Sequence, residues 1–159
     1  MPVVYLIGSL RNENIPKVGA ALRSPDLEVF DDWFSAGEYA DDALRDYYRD
    51  RKFPYQEILD SYAAKHIFSF DKYHLDRCTA GVLVMPAGKS GHLELGYLRG
   101  QGKPCFILFD KEPERVDIMH QFADGGVFFN INDLKGALYE TCVSRGPNAR
   151  NPQFQLPGV

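Results

Sequence analysis

The apolar positions fall into short runs separated by longer stretches with helical spacing. Val3 to Ile7 is a buried-strand run that ends at Gly8-Ser9. From about Asn14 to Arg23, Ile15, Val18, Ala21 and Leu22 recur as one helical stripe. Leu27 to Phe30 reads as a second short strand. A helix over Phe68–Cys78 then leads into Ala80-Gly-Val-Leu-Val84, too short to span a membrane and right for a central strand. Leu and Tyr at helical spacing predict a helix over Leu93–Gly100, stopped by Gly102-Lys-Pro104. Pro104 to Phe109 is the next strand, Val116–Phe122 a helix, Val127–Phe129 a last strand and Asp133–Cys142 a closing helix. Strands alternating with helices predict an α/β three-layer sandwich, flavodoxin-like or Rossmann-like, on a parallel sheet of about five strands with right-handed crossovers.

Residues 36–66 break this rhythm. They are polar and rich in tyrosine, and read as two helices parted at Phe53-Pro54. This insertion is expected to cover a site or to meet a second subunit. The expected domain spans residues 1–143, followed by an irregular tail, 144–159.

Composition narrows the classes. In 159 residues the net charge is −4 with no run of Lys or Arg, which argues against a nucleic-acid partner. No apolar stretch approaches the ~18 residues of a membrane helix, and the N-terminal run reads as a strand rather than a targeting segment. Cys78, Cys105 and Cys142 lack metal-ligand spacing and fit a reducing cytoplasm. Neither metal nor cofactor is expected.

Chemistry concentrates at the turn after the central strand, Met85-Pro-Ala-Gly-Lys-Ser-Gly-His-Leu-Glu-Leu-Gly-Tyr97. In an open α/β sheet such a turn lies where ligands bind. Gly88-Lys-Ser90 imitates the end of a phosphate-binding loop, but the glycine required five residues earlier is Leu83. Glu94 is expected in the first helical turn. The helix dipole accounts for a carboxylate there as readily as catalysis does, whereas a capping box fails because Leu93 stands three residues after Ser90. Asp31-Asp-Trp-Phe34 puts Asp32 and Trp33 at another strand end, with Trp33 either a core anchor or a wall for a flat ring. Ser90 reads as the helix N-cap, and His92 as a capping or solvent-facing residue.

With Tyr5-Leu-Ile-Gly8, Asp71, Ser90-Gly-His-Leu-Glu-Leu-Gly-Tyr97 and Gly102-Lys103 in order, the chain resembles the nucleoside 2-deoxyribosyltransferase family over roughly residues 3–140. The resemblance implies a flavodoxin-like fold and cleavage of the N-glycosidic bond of 2′-deoxynucleosides. The sugar passes to another base, or to water in the related N-glycosidases. It implies that Glu94 is the nucleophile, Asp71 the residue that protonates the base, and Tyr5 a hydrogen-bond partner of the nucleophile. Asp117 falls where transferases place an asparagine that reaches a neighbouring subunit's sugar. The remaining substrate-binding candidates are Gly8, Asp32, Trp33, Gly88, Ser90, Gly91 and His92. Gly88 departs from the pattern, standing where the transferases carry Asp and the monophosphate hydrolases Ser. The implied partners are a nucleoside, a free nucleobase and further copies of the chain, as a homodimer or larger. A hydrolase and a non-catalytic nucleotide sensor stay open beside the transferase.

Overall fold

The computed structural model describes residues 1–145. Five parallel strands form one sheet in the order β2-β1-β3-β4-β5. They are β1 (Val3–Ile7), β2 (Glu28–Phe30), β3 (Ala80–Val84), β4 (Cys105–Leu108) and β5 (Gly126–Phe128). The helices are α1 (Ile15–Leu22), α2 (Ala40–Arg49), α3 (Tyr55–Leu59), α4 (Tyr62–Arg77), α5 (Lys89–Gly100) and α6 (Ile131–Leu138). The expected α/β sandwich is the observed one.

Both faces of the sheet are covered, which is why β1, β3 and β4 are apolar throughout rather than alternating. One face packs Val4, Leu6, Val82 and Phe106 against α1 and α6; the other packs Tyr5, Ile7, Leu83 and Ile107 against α4 and α5. Helix α5 lies close to β3, for a methyl group on Gly81 would come within 2.4 Å of Leu98 Cδ1. This approach fixes the height at which α5 carries its side chains above the sheet. Gly8 likewise admits α1, since a Cβ there would meet Ile15 Cδ1 at 2.5 Å.

Several boundaries differ from expectation. Helix α4 starts at Tyr62, because Ser61 caps it by accepting from the Ala64 backbone N–H at 3.2 Å. The second half of the insertion is therefore continuous with the helix expected from Phe68. Helix α5 starts at Lys89, so Glu94 lies in its second turn and Gly88, not Ser90, is the N-cap residue. The segment before β5 forms only a 3₁₀ turn, Ile118–Phe122, and the closing helix begins at Ile131, where Asn130 accepts from the Asn132 and Asp133 N–H groups. No helix among the described residues is long and apolar enough to cross a membrane. The expected irregular tail lies outside the described residues from position 146 onward.

Candidate active site

At the carboxyl end of the sheet the order reverses between β1 and β3, and the loops after these strands diverge. Asn12, only 5% exposed, ties them together. Its Nδ2 donates to the carbonyls of Val84 and Pro86, both at 3.4 Å, while its Oδ1 accepts from the Asn14 N–H at 3.1 Å. The loop after β1 is thereby pinned to the turn that opens α5.

Between the two loops lies a cavity of about 690 Å³. It is lined by Tyr5 and Gly8, by Trp33 and Phe70, and around the start of α5 by Gly88, Ser90, Gly91 and Glu94. Asp71 enters from α4, and Asp32 from the 3₁₀ turn after β2. Nine of the eleven sequence candidates thus share one space. Trp33 lines the cavity and is also anchored in the core, since its Nε1 donates to the Leu6 carbonyl at 2.8 Å and its ring packs on both core clusters.

His92 and Asp117 do not line this cavity. His92 faces away from Glu94, towards His120. Asp117 accepts from the Met119 N–H at 2.9 Å and starts the 3₁₀ turn.

Electrostatics sets Asp71 and Glu94 apart from the surface carboxylates. Burial, and then the charge of Asp71, push the Glu94 carboxyl up to about 7. Burial, and then the charge of Asp41, push Asp71 up to about 6. Two carboxyls in one poorly solvated space resist carrying two charges at once. Burial also raises the Tyr5 phenol, with the charges of Glu94 and Asp71 adding to it, so Tyr5 stays a neutral hydroxyl. No hydrogen bond joins Tyr5 to Glu94 in this structure; their coupling is through space. Asp76, by contrast, is held below the usual carboxylate range by hydrogen bonds from Lys72, Tyr97 and Gln101, and it is exposed.

The structure also brings in residues that the sequence pattern did not single out. Residues 36–42, the entry to α2, run along the cavity and contribute Asp41 and Asp42. Arg11, from the loop after β1, pairs with Asp42 at 2.8 Å, and Arg45 holds the other oxygen of Asp42 at 3.0 Å. Part of the insertion therefore lines the cavity. A lone acid in a polar segment carries no periodic signal, so only the fold could place Asp41 near Asp71.

No protein-family model matches the chain, and no curated protein matches it. Solved structures do. One is a 2-deoxyribosyltransferase from the psychrotolerant bacterium Bacillus psychrosaccharolyticus, 19% identical, with a TM-score of 0.58 over 84% of this chain and 90% of that one. Another is a CMP N-glycosidase from Clostridium botulinum, 11% identical, with a TM-score of 0.50 over 86% of this chain and 97% of that one. At these identities the likeness establishes a shared fold.

Proposed function

We propose that the protein cleaves the N-glycosidic bond of 2′-deoxynucleosides and passes the sugar to another nucleobase, through a covalent deoxyribosyl intermediate on Glu94. One observation carries this reading: Glu94 and Asp71, from two different helices, line a single aromatic-walled cavity. The fold shared with a 2-deoxyribosyltransferase and a CMP N-glycosidase agrees with it. Asp71 sits in the interior of α4 rather than at its start, so a helix-capping role does not account for it. The dipole explanation for Glu94 weakens in the second turn of α5, since that effect is confined to the first.

The chemistry divides between the two acids. As the bond from C1′ to the base nitrogen breaks, its electron pair goes to the base, and the Asp71 proton neutralises the nitrogen that gains charge. A Glu94 carboxylate oxygen bonds to the electron-poor C1′. An acceptor base nitrogen then attacks C1′, the bond to Glu94 breaks, and the acceptor's proton returns to Asp71. Two inversions give net retention. Substrate decides which acid keeps the proton: the positive charge developing at C1′ favours the ionised form of Glu94, and a base nitrogen that accepts from Asp71 favours the protonated form there.

A second reading, hydrolysis of a nucleotide, has its own support. Arg11 and Lys89 both line the cavity and could meet a 5′-phosphate. Against them stand Asp32, Glu38, Asp41 and Asp42 in the same lining. Incubating the protein with a deoxynucleoside or its 5′-monophosphate, with and without a second base, separates the two by product chromatography. A new nucleoside means transfer; free base and the 5-phosphorylated sugar from the monophosphate, with or without a second base, means nucleotide hydrolysis. An intact substrate in all four mixtures would overturn both and leave a binding protein.

A further inference from the structure

The helix that carries Glu94 into the cavity presents another side chain on a different face. His92 Nδ1 lies 2.8 Å from the Gly88 carbonyl oxygen. A carbonyl only accepts, so Nδ1 carries the proton, and in the neutral ring Nε2 is a bare lone pair. That lone pair lies 3.1 Å from Nε2 of His120, on the 3₁₀ turn before β5. Asp117 Oδ2 stands 3.8 Å from the same His120 nitrogen, while Asp117 Oδ1 is engaged by the Met119 N–H. One ligand atom from each of the three residues fits within 4.8 Å.

These are the features of a metal-binding triad. Two imidazole nitrogens 3.1 Å apart can each stand about 2.1 Å from one ion. A ligating histidine characteristically donates its other ring N–H to a carbonyl or carboxylate, as His92 does to Gly88. Phe109 packs against the His120 ring at 5.8 Å between centroids and limits its swing. Asp117 is exposed, so the open side of the triad faces solvent and leaves a coordination position for water.

We propose that His92, His120 and Asp117 form a binding site for one divalent transition-metal ion of zinc type, which ties the 117–122 segment to the first turn of α5. Two imidazoles and a carboxylate favour zinc, cobalt or nickel over calcium or magnesium, which prefer oxygen ligands throughout. The ion would stand outside the cavity and contribute no atom to the glycosidic chemistry. It would brace the start of the helix that carries Glu94.

The rival for the same atoms is a direct N–H···N hydrogen bond between the two rings, and calorimetry separates them. Metal-free protein is titrated with zinc chloride in a non-chelating buffer, beside His120→Gln and Asp117→Asn. The expected result is one ion per chain with a Kd on the order of micromolar or tighter, weakened at least about tenfold in each variant. Zinc should also raise the melting temperature of the wild type by more than that of either variant. Asp117→Asn changes an exposed position and keeps the fold testable should His120→Gln misfold. Absent binding, or binding that both variants leave unchanged, overturns the site and assigns the 3.1 Å contact to the hydrogen bond. Because these readouts are binding and melting, they stand or fall independently of the Glu94 chemistry.

Discussion

Asp71 and Glu94 reach one cavity from two helices that flank the same face of the sheet, and the charge of Asp71 contributes to raising the Glu94 carboxyl to about 7. The pair cannot readily hold two negative charges, which is the condition for one acid to donate while the other attacks. Their division of labour is tested first at Glu94. Glu94→Ala should lose at least about a thousandfold in turnover and all of the sugar-protein adduct seen by mass spectrometry after rapid acid quench. Turnover near the wild-type value in a folded variant would end the covalent mechanism.

Asp71 offers a measurement that needs no substrate. Its folded-state carboxyl titrates near 6, against about 3.8 for a free side chain, so the native state binds its proton more tightly than the unfolded chain does. The stability this provides is complete below the unfolded value and is lost as pH rises through 6. Above that point a buried charge remains, and Asp71→Asn removes it. The variant should melt higher than wild type at pH 8, by roughly 2–4 °C or about 1 kcal/mol once partial solvent access is allowed for. The gain should shrink towards pH 4. Calorimetry at both pH values checks this, and an equal shift at each would assign the effect to packing. The same variant should lose about 10²–10⁴-fold in turnover.

Asp41 is the second cause of the raised Asp71 carboxyl, after burial. It lies at the entry to α2, exposed but lining the cavity. Asp41→Asn should let Asp71 ionise at lower pH, so the alkaline limb of kcat/KM moves down. The shift should be larger at low ionic strength, where an exposed charge acts over a longer range. An unmoved limb would mean that Asp71 is not the proton donor whose ionisation ends activity.

The strands were legible because a sheet covered on both faces demands continuous apolar runs, and Val3–Ile7 and Ala80–Val84 leave no alternative. Glu94 and Asp71 could be read from a motif and an isolated acid, but not their shared cavity, which depends on Gly81 letting α5 settle against β3. The sequence pattern sets the start of α5 too late because Lys89-Ser-Gly-His92 has no apolar stripe; the Gly88 carbonyl, which accepts from His92, holds that turn. Periodicity makes α4 too short because the Ser61 cap sits in a polar stretch with no apolar repeat to announce it. His92 and His120 stand twenty-eight positions apart, and only the packing of the 3₁₀ turn on α5 brings them together.

The remaining prediction concerns how the insertion is held over the cavity. Helix α2 buries none of its residues, so little packing fixes it. Its tie to the rest of the site is Asp42, gripped by Arg11 from the loop after β1 and by Arg45 one turn along. Such partly exposed ion pairs contribute about 0.2–1 kcal/mol, equivalent to at most roughly fivefold in a binding constant. Asp42→Asn should therefore raise KM by up to about fivefold and leave kcat close to wild type, because α2 must be drawn back over the cavity at each binding event. High salt should raise the wild-type KM in the same direction and change the variant little. A variant that loses kcat instead would place Asp42 among the groups that meet the substrate, and the cover would then have to be held by something other than this bridge.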